Sequence, residues 1–333
     1  CIANTKGNTF QFKHSCAFLK FNLANPKGVK SVRLKVNGSD NVAGIGYVGV
    51  NATDMNPKYA SSDANMSAYD MITLTAPEGG FVAGENYFIA MRANSCPDGI
   101  TAYIEYKDEV KVRTSTSKVY TDGSIGKIRN IGQLDKNLSD VTPYDTYSLG
   151  FDVMVAGKAI NKATYGDATL VTKTQGINKS GIYFVNSDAT ANFNSGITGN
   201  LIVIGNTPGV RSNVSRTSTS FLSASDGQDA LIMHNIKYVE CTANVFQLNA
   251  GKAFENIIFD NCLFNVKTGT SLILSNSAAN TITDFVMVNC DAEVEGVVSL
   301  VKMGGSTINS ITFENNVIYA DSEMTSFFAF NSA

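Results

Sequence analysis

The stretch ENIIFDNCLFNV (255–266) constrains this chain more than any other, because its core recurs. Aligned by eye, five heptapeptides run NLIVIGN (200–206), NIKYVEC (235–241), NIIFDNC (256–262), DFVMVNC (284–290) and SITFENN (310–316), with starts 35, 21, 28 and 26 residues apart. A period between about 20 and 50 residues is the signature of a solenoid or related array. The second position (Leu201, Ile236, Ile257, Phe285, Ile311) and the fourth (Val203, Tyr238, Phe259, Met287, Phe313) are apolar in every repeat, so both point inward from a strand. The sixth (Gly205, Glu240, Asn261, Asn289, Asn315) is of a type that tolerates a bend. Beyond it the inward parity restarts at Cys262, Phe264 and Val266, and again at Cys290, Ala292 and Val294.

A further apolar strand follows each later repeat, at VFQLN (245–249), LILSN (272–276), VSLVK (298–302) and FFAFN (327–331). Two or three short strands per coil of about 25 residues, with loops of unequal length, predict a right-handed parallel β-helix. Composition agrees with an all-β chain. It has 28 Gly, 2 His, 44% hydrophobic and 17% charged residues, and short Val/Ile/Phe/Tyr runs broken by Gly, Asn and Asp. A net charge of -3 without a basic run argues against a nucleic-acid partner. No window reaches the roughly 20 apolar residues of a membrane-spanning helix.

Residues 1–136 have a different texture. Strands such as NTFQFKHSCAFLKFNL (8–23), GVKSVRLKV (28–36), ENYFIAMRA (85–93) and GITAYIEYK (99–107) are separated by turn residues. In GVKSVRLKV, Val32, Leu34 and Val36 fall on one face and Arg33 and Lys35 on the other, the alternation of a half-buried antiparallel strand. The sum predicts a β-sandwich over 1–136. A polar, Pro-containing linker is expected over 137–145 and the β-helix over 146–333.

Both halves resemble known families. FQFKHSCAFLKFNL, GVKSVRLKV, NVAGIGYVGV, ENYFIAMRA and KIRNIGQLD resemble, in texture and order, the fimbrillin-like surface lipoproteins of Gram-negative anaerobes, which are β-sandwich fimbrial subunits or adhesins. That resemblance implies an extracellular protein at the outer-membrane surface, held by a lipid anchor in its full-length form. It also implies that sandwich sequence preceding FQFKH is missing. Cys1 enters a strand within a few residues, without the flexible linker that a lipidated Cys carries, which argues against lipidation at this Cys and leaves a lipidation site and an interior residue of a longer chain both open. GDATLVTKTQGINKSGIYFV (166–185), TGNLIVIGN and the NIIFDNC repeats resemble pectate-lyase-like, single-stranded β-helix domains. That implies the fold and a polysaccharide context. SFFAFNSA ends in mid-coil without a polar cap, so further coils or another covering element are expected.

The alignment puts Asn206, Cys241, Cys262, Cys290 and Asn316 in one structural column, neighbours about 4.8 Å apart. A zinc site would need paired Cys spacings or nearby His, so the thiols are read as small buried apolar groups and no metal or cofactor is expected. A disulfide between adjacent coils stays geometrically open. His14, between Phe12 and Cys16, is read as a structural histidine.

The sharpest catalytic alternative is a polysaccharide lyase or hydrolase that uses Asp260, Glu314 and Lys237. Asp260 and Glu314 share an outward column about 9.6 Å apart, near the upper end for paired inverting carboxylates. Most of that outward surface is apolar (Ile202, Ile204, Val239, Ile258, Val286, Val288), so a loop, the preceding domain or a partner should cover it. The preferred expectation is a non-catalytic, adhesin-like protein that contacts polysaccharide or cell-surface glycan, with a fimbrial-tip subunit as a further alternative.

Overall fold

The computed structural model describes the chain except residues 1, 7–8, 15, 39–42, 45, 48–57, 60–67, 70, 93–95, 97, 120–124, 194–196, 217–220, 224–228, 240–245, 249–252, 267–270, 276–279, 297–298, 322–323, 325 and 332–333. Cys1, Cys241 and much of NVAGIGYVGV therefore lie outside the described residues. The chain is all-β and divides into two compact units, Cys1–Val141 and Thr142–Ala333.

In the first unit, strand Ser31–Val36 buries Val32, Leu34 and Val36 and leaves Arg33 and Lys35 half-buried, as its alternation prescribes. It belongs to a five-stranded antiparallel sheet with Met71–Thr75 on one side and Ile100–Glu105, Val110–Ser115 and Ser139–Asp140 on the other. A three-stranded sheet is formed by Tyr87–Met91, Ala17–Asn22 and Ile128–Gln133, the last two running parallel. Leu19, Phe21 and Ile89 from the smaller sheet and Leu34 and Ile104 from the larger close on one core. Each large apolar side chain buried there contributes about 1.5–3 kcal/mol.

The polar segment 137–145 is ordered by means that apolar periodicity does not register. Ser139 and Asp140 pair with Val112 and Lys111. Thr142 caps helix Pro143–Ser148 by accepting from the Asp145 N–H, and its hydroxyl donates to the Asp145 carboxylate.

The second unit is a parallel β-solenoid of three sheets, seven, seven and six strands deep. Its full coils each contribute one strand to every sheet; in the fifth these are Ala253–Asp260, Leu263–Val266 and Ile273–Ser275. The first-sheet register runs Gly181, Leu201, Leu231, Ile257, Phe285, Ile311, with steps of 20, 30, 26, 28 and 26 residues. A still shorter step of 14 joins Ala168 to Ile182. The array thus begins before residue 200, in two short coils that lack the recurring heptapeptide.

This register corrects the alignment at one repeat. The equivalent of NIIFDN is ALIMHN (230–235), because Leu231, Ile232, Met233 and His234 pair with Ile257, Ile258, Phe259 and Asp260. NIKYVEC lies one strand too late for that column: Ile236–Val239 is in the second sheet, where Lys237 pairs with Leu263. The error has a physical origin. IKYV also alternates buried and half-buried after an Asn, and a period of two does not say to which sheet a strand belongs. The position assigned to Cys241 is held by Ile236, and the bend position assigned to Glu240 by Asn235.

With the register corrected, the bend is an asparagine in four successive coils. Asn235, Asn261, Asn289 and Asn315 have φ of 57, 50, 56 and 53°, the left-handed region that Asn enters most readily among residues with a side chain. Asn261 Nδ2 donates to Asn235 Oδ1 at 3.0 Å, and Asn235 Nδ2 donates to the Thr207 and Val210 carbonyls. One coil earlier Gly205 stands at this level, where a Cβ would lie 2.3 Å from the Asn235 carbonyl oxygen. Inside, Tyr238 stacks on Phe264 and Phe246 on Phe259 with ring centroids 5.8 and 5.9 Å apart, within a core that runs through the coils.

The outer face of the first sheet is covered over Ile202, Ile204 and Ile258 of the apolar strip, while Val286 and Val288 are half-buried and Val239 lies in the second sheet. The cover comes from the unit's own leading segment: helix Pro143–Ser148, hairpin Val153–Val155/Lys158–Ile160 and the short helix Lys162–Tyr165. Tyr147, Val153, Val155 and Ile160 pack there on Ile202, Ile204, Ile232 and Ile258.

Candidate functional site

The corrected register stacks His234 directly beside Asp260, one coil apart in the first sheet. His234 Nδ1 lies 3.1 Å from Asp260 Oδ2, which also accepts from the Ala156 N–H at 3.0 Å. Asn289 Nδ2 donates to Asp260 Oδ1 at 3.1 Å. Burial opposes ionisation of Asp260, but the bonds from His234, Asn289 and Ala156 outweigh it and hold the carboxyl below its ordinary pKa. The Asp260 side chain is only 11% exposed.

Ala156 reaches Asp260 from the tip of the covering hairpin, a two-residue turn in which Ala156 and Gly157 both have positive φ, 47 and 82°. The carboxylate therefore pins the hairpin to the solenoid. Both oxygens are engaged and a backbone loop lies over them, an arrangement for holding structure in place. Proton transfer to a bound substrate would need an open approach.

The other two predicted catalytic residues are placed elsewhere. Asp260 and Glu314 do share the outward column with Val288 between them, but Glu314 is exposed on the strand Thr307–Glu314. Lys237 belongs to the second sheet, so the structure does not bring it to the two carboxylates. His234 is the partner that the shifted alignment concealed. Had ALIMHN been aligned with IIFDN by its terminal Asn, the pair would have been legible.

Of the predicted column, Cys262 and Cys290 are fully buried free thiols on adjacent coils. Burial pushes the Cys262 thiol well above its ordinary pKa, and its Sγ donates to the Met233 carbonyl at 3.3 Å. Asn316 Oδ1 accepts from the Cys290 N–H, and its Nδ2 donates to the Met287 carbonyl. Asn206 is buried at the start of the 206–211 corner loop, not in the strand column that holds Ser212, Ile236 and Cys262. Arg211, at the end of that loop, donates to the backbone and side-chain oxygens of Asn261 and to Asp291 Oδ2. In the first unit, exposed His14 sets its ring edge-on to Phe18 at 5.2 Å.

Asn206 also lines an open groove of about 520 Å³ between helix Pro143–Ser148 and the solenoid corner. Its Oδ1 accepts from the Tyr144 N–H, and its Nδ2 donates to Asn186 Oδ1 one coil below, both at 2.8 Å. Tyr144 forms one wall, its ring edge-on to Phe184; Asp145 and Asp188 are exposed at the rim, with Ser187 and Thr207 bonded to each other at 3.2 Å. Amides, hydroxyls and carboxylates beside an aromatic ring can exchange hydrogen bonds with a polyhydroxylated ligand in both directions.

Among the described residues no group of three or more His, Cys, Asp or Glu is placed to hold a metal ion, and no helix is long and apolar enough to cross a membrane. The fold defines a class, an all-β protein whose mainly antiparallel sheets precede a parallel β-solenoid with one sheet face covered by its own leading segment. Compared with known proteins, the chain matches no family, no curated sequence and no solved structure.

Proposed function

We propose that this chain is part of an adhesin-like cell-surface protein that contacts polysaccharide without cleaving it. The observation that carries this reading is the groove at Tyr144, Asn186 and Asn206, where polar side chains from successive coils line an open trough beside an aromatic wall. Repetition of that kind suits an extended ligand. The engagement of Asp260 by three donors supports a structural role for the carboxylate that a hydrolase would need most. The outer-membrane location and the lipid anchor rest on the fimbrillin-like resemblance alone, and the polysaccharide context also on the pectate-lyase-like one.

Titration calorimetry with a panel of neutral and acidic oligosaccharides tests the proposal. Binding should weaken by about tenfold in Asp188→Ala, whose exposed side chain contributes to the groove and not to the core. Cleavage of any polysaccharide that disappears in Asp260→Asn would sink it and favour the hydrolase or lyase reading.

A further inference from the structure

A second cavity lies wholly within the first unit, between the free edges of its two sheets. In the larger sheet, Ser139–Asp140 pairs only with Lys111 and Val112, so the edge of Val110–Ser115 beyond Val112 has no strand partner among the described residues. In the smaller sheet, Ile128–Gln133 is itself the edge strand. The cleft between them holds about 180 Å³.

Its floor is apolar, with Ile100, Ala102, Val119 and Leu134 all buried. Its walls carry Arg113, Lys118 and Arg129, with Ser115, Ser117 and Asn130 among them. Arg113 is half-buried and one of its guanidinium nitrogens donates to the Gln133 carbonyl, which ties the two sheets and fixes the head group at the cleft. Lys118 and Arg129 are exposed at the mouth. None of the three cations is in an ion pair among the described residues. In a chain of net charge -3, three uncompensated cations around one apolar-floored cleft form a local anion site.

We infer that this cleft binds a saccharide ring bearing a carboxylate, a hexuronate or a similar acidic sugar. The planar guanidinium fork matches a carboxylate through two parallel hydrogen bonds, with Lys118 as a nearby point charge. Ser115, Ser117 and Asn130 supply donors and acceptors for ring hydroxyls. The apolar floor takes the C–H face of the ring, which a bare inorganic anion cannot offer. The volume is below the roughly 300–1,000 Å³ of drug-sized pockets and suits about one sugar ring. The site makes no use of the solenoid groove and stands whether or not that groove binds glycan.

Calorimetry on the full chain with glucuronate, glucose, inorganic sulfate and a short oligogalacturonate tests the inference. Glucuronate should bind, with glucose and sulfate weaker by at least about tenfold. The double variant Lys118→Ala/Arg129→Ala, whose exposed side chains leave the core intact, should lose about tenfold in glucuronate affinity. Lys127→Ala, outside the cleft, and Asp188→Ala, in the other unit, should leave it unchanged. Oligogalacturonate binding as tightly as glucuronate identifies the end of a polymer as the ligand, and its exclusion identifies the free acid. Sulfate or glucose as tight as glucuronate, no uronate binding, or an unaffected double variant would each overturn the inference.

Discussion

At the residue scale, Asp260 is the side chain on which most depends. Asp260→Ala leaves the Ala156 N–H, the Asn289 amide and His234 without their acceptor, and should cost about 2–3 kcal/mol in urea unfolding. The pH dependence has a definite sign. A carboxyl whose pKa is lowered on folding adds stability above its unfolded pKa and loses it as pH falls through the folded value. The stability gap between the native protein and Asp260→Asn should therefore close on acidification below about pH 4. A gap that widened there would contradict the arrangement. Ala156 makes the opposite prediction: an alanine at φ 47° is strained, so Ala156→Gly should raise stability by about 0.5–1 kcal/mol in the same assay while keeping the bond to Asp260. Cys262 and Cys290, both fully buried, should react with a thiol reagent only on unfolding. The inward-facing Cys262 was legible from parity alone. His234 was not, because one misplaced repeat moved it out of its column.

At the scale of elements, the sequence showed that something must cover Ile202, Ile204 and Ile258, but not what. The covering segment keeps no period: Tyr144, Tyr147, Phe151, Val153, Val155 and Ile160 fall at irregular spacings through a helix, a hairpin and the turns between them. Its anchor is Tyr147, which is 1% exposed and donates to the Gly166 carbonyl; burial pushes its phenol up to about 12. Tyr147→Ala should cost about 3–5 kcal/mol, as loss of a buried aromatic does, and should expose the strip beneath to a hydrophobic dye. The corner asparagines were legible at 261, 289 and 315, where the repeat is cleanest. Asn261→Gly keeps the left-handed backbone and should be milder than Asn261→Ala, which adds about 1–2 kcal/mol of backbone strain to the lost bonds with Asn235 and Arg211.

At the scale of the whole molecule, the solenoid's stability is a sum over neighbouring coils and should grade along the stack. The covered strand Leu201–Gly205 is buried throughout, while Thr281–Val288, three coils on, interleaves buried residues with half-buried and exposed ones. Amide exchange should be slower in Leu201–Gly205 than in Thr281–Val288; uniform protection would refute coil-by-coil stability. The three-sheet fold was legible because each coil repeats a corner and an inward pair. The first two coils were legible only through the resemblance of GDATLVTKTQGINKSGIYFV, because Gly181 stands where the next coil carries Leu201 and Thr169 stands in the column of Val203, which breaks the inward apolar pair. The bond from Ala156 to Asp260 spans 104 residues, and it sets an order of events during synthesis. At about 5–20 residues per second, the hairpin leaves the ribosome some 5–20 s before the aspartate that secures it. During that interval Tyr147, Val153 and Ile160 have only part of their surface to settle on, so the nascent chain is most vulnerable to aggregation or chaperone capture just before its fifth coil is made.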